Sequence, residues 1–109
     1  MRPIRLEIEG FTSFREKVVV EFDGLERAEA AMAAGKGALF ITGHFGFWEL
    51  QAVAHALVQP PIAVVARALD NPLLHDLVER VRSSTGNYVI YRQGGARRIL
   101  RALQQNHGV

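Results

Sequence analysis

Residues 37–50, with the sequence GALFITGHFGFWEL, decide how this chain folds and where its chemistry lies. The apolar run 38–41 lacks the alternation of a half-exposed strand, so it predicts a strand covered on both faces. Two glycines flank His44 and predict a turn. Residues 45–58 then show the apolar spacing of an amphipathic helix. The stretch therefore combines a strand, a turn that carries a histidine, and the start of a helix.

The composition is that of a small globular protein or of a piece of a larger one. The chain has 109 residues, of which 49% are hydrophobic and 22% are charged. The absence of cysteine excludes disulfides, thiolate metal sites and cysteine nucleophiles. No acidic residue follows Glu79, whereas six arginines do: Arg80, Arg82, Arg92, Arg97, Arg98 and Arg101. This basic third favours an anionic partner such as phosphate, nucleic acid or a lipid headgroup, or else it is a solvated helix face.

The sequence contains no transmembrane segment or signal peptide that its hydropathy would reveal. No apolar run approaches the length of a membrane span. Residues 1–10 alternate between polar and apolar side chains, unlike the apolar part of a signal peptide. We therefore predict a protein that is cytoplasmic or peripherally bound to a membrane.

Hydrophobic periodicity predicts the remaining elements. Alternation in residues 4–8 and 18–22 predicts two strands of an antiparallel hairpin, which a short helix follows. Further apolar runs at 62–66 and 88–91 predict strands, and each is followed by a helical pattern. The helix after the first of these begins at Asp70-Asn71-Pro72, a capping side chain before a proline. Its apolar stripe consists of Leu74, Leu77, Val78 and Val81.

Strand and helix alternate three times from residue 38 onward, which indicates parallel βα units with right-handed crossovers. The predicted fold class is therefore α/β, a three-layer-like sheet with parallel βα units preceded by an N-terminal antiparallel β-hairpin. A further strand is expected where the sequence stops, at Val109. We expect the sheet to be incomplete and to offer an unpaired edge for self-association.

His44 and Glu49 are the strongest candidates for chemistry. Functional groups of parallel sheets gather where strands end and helices begin, which is where His44 lies. Within one regular helix the two side chains would diverge by about 140°, so contact requires His44 to lie in the turn. Glu49 could then accept a hydrogen bond from one imidazole nitrogen and leave the other as a general base. The alternative is a histidine that caps the helix and a glutamate that faces solvent.

Other candidates depend on single residues. Arg67 ends a strand at the edge where His44 is expected, so it could hold an anion there or be a surface arginine. Arg82 lies late in its helix, where the helix dipole favours a cation in any case. The other three histidines show no metal-ligand spacing, and the phosphate-loop pattern G-x-x-x-x-G-K-[ST] does not occur. The residues therefore predict no metal, no cofactor and no nucleotide.

Residues 42–50 closely resemble the H-x4-D/E motif, in its HFGNWE form, of the bacterial lipid A biosynthesis (lauroyl/myristoyl) acyltransferases. The likeness continues through residues 65–73, VARALDNPL, which are similar to the family's V-x-R-P-x-D-N-P-x stretch. Residues 87–92 and 95–98 resemble its next strand and helix. The resemblance covers about residues 24–109.

This resemblance implies transfer of an acyl chain from acyl carrier protein or acyl-CoA to a hydroxyl of a lipid A precursor. The family's catalytic positions fall on His44 as general base, on Glu49, which orients it, and on Arg82. Three residues would bind substrate: Arg67, Gly46 and Trp48.

The sequence departs from the family pattern in several places. Phe47 stands where asparagine is usual, and Ala68 stands where proline is usual. The family's N-terminal membrane anchor does not precede the motif, and the sequence stops before the rest of the family's fold. We therefore expect a fragment whose ancestral activity is acyl transfer and whose site is incomplete.

Residues 1–16 and 22–25 resemble something else, the opening of SbcC-type, SMC-like ATPase subunits of bacterial DNA exonucleases. In those proteins two strands lead into a Walker A loop, which this sequence lacks. We predict a chimera in which residues 1–25 form the ATPase-like hairpin and residues 26–109 form a partial acyltransferase-like domain. Two alternatives remain: a catalytically inactive chimeric scaffold, and an ATPase fragment that binds DNA through its arginine-rich last helix.

Overall fold

A computed structural model describes residues 4–8, 18–46 and 48–109 and confirms the α/β class. Its strands are β1 (Ile4–Ile8), β2 (Val18–Phe22), β3 (Ala63–Ala66) and β4 (Tyr88–Tyr91). Its helices are α1 (Leu25–Ala33), α2 (Trp48–Val58), α3 (Pro72–Ser83) and α4 (Gly95–Gln104). Phe47 and most of the N-terminal stretch that resembles SMC-like ATPases lie outside the described residues.

The predicted N-terminal hairpin is confirmed. β1 and β2 pair antiparallel, with Ile4 opposite Phe22 and Ile8 opposite Val18. In this register the three apolar positions of β1 lie opposite apolar positions of β2, as cross-strand pairing favours, whereas Glu7 lies opposite Val19. The two strands form a sheet of their own.

The parallel sheet contains a segment from the end of the sequence in its middle. β3 and β4 pair in parallel along their whole length. Gly108 makes parallel bridges to both Ile62 and Ala38. Residues 107–109 therefore lie between residues 38–40 and β3, and they occupy the place where the sequence predicts a further strand.

The predicted strand over residues 38–41 is only partly formed. The Phe40 N–H donates to the Val109 carbonyl at 2.7 Å, but Leu39 is 59% exposed and Ile41 is 88% exposed. The expectation that both faces are covered is therefore wrong. Among the strands that the structure describes, this segment pairs only with residues 107–109, so it lies at an edge of the sheet.

The second helix also begins later than its apolar spacing predicts. α2 starts at Trp48, three residues after the predicted start at Phe45. Gly46 has a φ of 62°, a left-handed conformation that a right-handed helix does not contain. The connection through His44 is consequently longer than expected.

The start of α3 is confirmed in detail. The Asn71 side-chain oxygen accepts hydrogen bonds from the N–H groups of Leu73 and Leu74, at 3.0 and 3.2 Å. Pro72 follows as the first helical residue. These contacts satisfy two of the N–H groups that a helix start leaves without partners.

The two sides of β4 face different helices. Ile90 is 1% exposed and packs in a buried cluster with Ala63 and with Ala102 of α4. The next residue, Tyr91, contacts His75 of α3 through its hydroxyl at 3.1 Å. Because successive side chains of a strand point to opposite faces, α3 and α4 lie on opposite sides of the sheet.

A buried asparagine joins α2 to the sheet. Asn87, 2% exposed, accepts from the Ile62 N–H at 2.9 Å and donates to the Ala52 carbonyl at 2.8 Å. The neighbouring Thr85 hydroxyl donates to the Val53 carbonyl at 3.3 Å. The loop before β4 thereby fixes the position of α2, and with it the residues in the first turn of that helix.

Candidate active site

Glu49 and Arg82 form a bidentate ion pair between α2 and α3. Arg82 donates from Nε to Glu49 Oε2 at 3.1 Å and from Nη2 to Oε1 at 2.5 Å. The side chains are 14% exposed for Arg82 and 28% exposed for Glu49. Two parallel charge-assisted hydrogen bonds fix both position and orientation, so the glutamate is held in one geometry.

The contact with Glu49 also affects the pKa of Arg82. The hydrogen bond with Glu49 raises the pKa of Arg82, an effect that outweighs the lowering by burial. The negative charges of Glu49 and then of Glu79 raise the same pKa further. Because a carboxylate has about four lone-pair positions, Glu49 can still accept another hydrogen bond while Arg82 occupies two of them.

Arg82 belongs to a half-buried polar stripe on α3 that consists of His75, Glu79 and Arg82. His75 Nε2 lies 3.1 Å from the Tyr91 hydroxyl and 3.5 Å from Glu79 Oε2. Desolvation, and then the hydrogen bond to Glu79, raise the pKa of Tyr91. The i, i+4, i+7 spacing of these polar residues is the sequence signal for the stripe, and it differs from the spacing of metal-binding histidines.

This polar stripe changes which face of α3 lies inward. The predicted apolar stripe is largely exposed at Leu74 and Leu77, which are 50% and 52% exposed. The half-buried residues centre about a quarter turn further around the helix. Hydrogen bonds to Glu49 and Tyr91 hold that face, and hydrophobic periodicity alone carries no information about them.

His44 lies in an exposed turn before α2, the position that contact with Glu49 requires. The Phe45 N–H donates to the Gly43 carbonyl at 3.0 Å, which makes His44 the central residue of a γ-turn. The Thr42 hydroxyl lies 3.4 Å from the Gln51 side-chain oxygen and connects this turn to the helix. The His44 side chain is therefore accessible from solvent.

Arg67 lies apart from the Glu49–Arg82 pair. Its guanidinium lies 3.6 Å from the carboxylate of Asp70, and its side chain is 78% exposed. Arg67 precedes the start of α3, whereas Arg82 is in the last turn, so roughly 15 Å of helix separates them. A substrate contact by Arg67 stays a prediction.

The two other predicted binding residues flank the gap before α2. Gly46 is exposed, and a Cβ at that position would meet no atom within 4 Å, so the glycine serves the backbone conformation. Trp48 is the first residue of α2. Their roles in binding substrate also stay predictions.

Within residues 4–8, 18–46 and 48–109, no group of three or more His, Cys, Asp or Glu side chains could hold a metal ion. None of the helices in those ranges has the length and apolar character needed to cross a bilayer.

Comparison with protein families assigns the chain. The sequence model of the bacterial lipid A biosynthesis acyltransferases matches residues 8–109. The chain belongs to this family. The matched range of this acyltransferase-family chain begins within β1 and includes His44, Glu49 and Arg82. Membership supports acyl transfer as its general activity. No individual curated protein matches the sequence significantly.

Proposed function

We propose that this chain carries the catalytic histidine for acyl transfer from a thioester, on acyl carrier protein or coenzyme A, to a hydroxyl of a lipid A precursor. Family membership supports the class of reaction. The observation that carries the proposal is the bidentate pair of Glu49 and Arg82, which holds the glutamate of the motif five residues after His44.

In this proposal His44 is the general base. One imidazole nitrogen takes the proton of the acceptor hydroxyl while the oxygen attacks the thioester carbonyl carbon. The tetrahedral intermediate then collapses, the carbon–sulfur bond breaks, and the thiolate takes the proton from the imidazolium. The products are an ester and a free thiol, and His44 returns to its neutral form.

Glu49 would orient His44 and stabilise the imidazolium that forms. A carboxylate that is already held by Arg82 needs no rearrangement when this positive charge develops, which is the advantage of a preorganised site. The same pairing partly neutralises Glu49, so its effect on the histidine is smaller than that of an unpaired carboxylate. Arg82 acts in this scheme as a positioning residue.

The test measures the rates of acyl transfer and of thioester hydrolysis for the unchanged chain and its variants, with an acyl carrier protein thioester as the donor. His44→Ala should lower the rate about a hundredfold or more, since a general base contributes at least that factor. His107→Gln is the matched control, because its side chain contacts Tyr88 on the other side of the sheet. Equal rates for the unchanged chain and His44→Ala would remove the catalytic assignment.

We further propose that the chain is peripheral at the inner membrane and that it is a chimera joined between Val18 and Arg27. If the hairpin is foreign, deleting residues 1–23 should leave the thermal unfolding midpoint of the remainder unchanged. A large fall would show that the hairpin is an integral part of the acyltransferase fold.

Self-association through an open sheet edge is proposed as well. β4 and residues 38–40 are the outer strands of the parallel sheet among the residues described. Sedimentation velocity over a range of protein concentrations tests this, and a single monomer species throughout would contradict it.

A further inference from the structure

The outer face of α4 is a cationic surface. The helix packs on the sheet with Ile99, Ala102 and Leu103. Its opposite face carries three exposed arginines: Arg97, Arg98 and Arg101. Since α4 lies on the other side of the sheet from α3, this surface is separate from the Glu49–Arg82 pair.

Ion pairs among the described residues do not account for these arginines. Across the part of the chain that the structure describes, no acidic side chain lies within ion-pair distance of any of them. Two of them, Arg97 and Arg98, lie in the first turns of α4, where the helix dipole disfavours cations. A local preference broken without a compensating contact is typical of a surface that is used for binding.

An exposed leucine lies beside the arginines. Leu100 is 61% exposed, and it lies about 60° around the helix from Arg97. At a bilayer interface, arginines bind headgroup phosphates while a neighbouring apolar side chain enters the boundary of the acyl chains. A nucleic-acid backbone binds arginine equally well but offers no apolar region for the leucine.

We propose that the outer face of α4, which consists of Arg97, Arg98, Leu100 and Arg101, binds an anionic lipid surface. Charge complementarity requires an anionic partner. The family's lipid A acceptor, which is a lipid, favours a membrane over an acidic protein. The choice of partner rests on the proposed peripheral location, but the binding itself does not depend on catalysis.

The test is co-sedimentation of the full chain with vesicles of phosphatidylcholine alone or mixed equally with phosphatidylglycerol. The chain should bind the anionic vesicles, and added salt should weaken that binding. Arg97→Gln/Arg101→Gln should weaken it about 25-fold, from about fivefold for each arginine near the surface. Leu100→Ser should weaken it severalfold at every salt concentration.

The matched control is Arg27→Gln/Arg80→Gln, which removes the same charge from exposed positions on α1 and α3. It should keep nearly full binding. Absence of binding to anionic vesicles at low salt would overturn the proposal, as would equal losses in the two double variants. Binding to purified acyl carrier protein but not to vesicles would overturn it in favour of a protein partner. The assay contains no thioester, so a failed acyl-transfer test leaves its outcome unaffected.

Discussion

The Glu49–Arg82 pair predicts a specific loss of stability when Arg82 is replaced by methionine. The variant keeps much of the aliphatic stem but leaves a carboxylate that is only 28% exposed without its partner. Breaking a fully buried pair costs about 3–5 kcal/mol, and a hydrogen bond to a charged group contributes about 1.5–3 kcal/mol. Because water can still reach Glu49, we expect a loss of unfolding free energy near the value for a hydrogen bond to a charged group, about 2 kcal/mol. The thermal midpoint should then fall by roughly 8 °C.

The measurement is urea unfolding of the unchanged chain and of three variants, Arg82→Met, Glu49→Gln and the double variant. The double variant should cost hardly more than either single change, because each single change already removes the pair. Arg67→Met is the control, since its exposed ion pair should contribute less than about 0.5 kcal/mol. Additive losses, within about 0.5 kcal/mol, would refute the reasoning, because they would mean that the two side chains do not interact.

Three further predictions follow from buried groups and close approaches. Burial lowers the pKa of His55 below 6.5, so the unfolded chain takes up a proton at this position first, and stability should fall as the pH drops below 6.5. The difference in unfolding free energy between about pH 7.5 and about pH 5.5 should be smaller in His55→Asn than in the unchanged chain, and an identical difference would contradict this. Asn87→Ala leaves the Ile62 N–H without its partner and removes the link to the Ala52 carbonyl of α2, so it should cost about 1–3 kcal/mol in urea unfolding, and a loss below about 0.5 kcal/mol would refute the bridging role. Gly37→Ala should destabilise far more than Gly35→Ala: both have a φ above 70°, but only at Gly37 would a Cβ meet backbone atoms of Leu103, at 2.7 Å. Similar thermal midpoints for the two variants would exclude that clash.

Features that depend on neighbouring residues could be predicted from the sequence. Alternation predicts the β1–β2 hairpin, and Asn71 followed by a proline predicts the start of α3. The turn around His44 also follows, since glycines flank the histidine on both sides. The cap and the turn depend on contacts between residues at most three positions apart, and the hairpin joins two strands that are consecutive along the chain.

Features that depend on distant residues could not be predicted. Arg82 and Glu49 are 33 positions apart, and helix-dipole arguments make a cation at residue 82 unremarkable by itself. The inward face of α3 likewise depends on partners in α2 and β4, which hydrophobic periodicity does not detect. The family resemblance marks Arg82 as functional, but only the structure shows that its partner is Glu49.

The placement of residues 107–109 between residues 38–40 and β3 has a consequence for the folding pathway. The middle of the parallel sheet comes from the part of the chain that follows every other strand of that sheet. During synthesis, β3 and β4 can pair early, but among the described residues the segment 38–40 meets its pairing partner only after residue 109 has emerged. The last step joins residues about 70 positions apart, a long loop closure that slows folding. Until then two sheet edges stay open, and this interval is when the nascent chain is most exposed to aggregation.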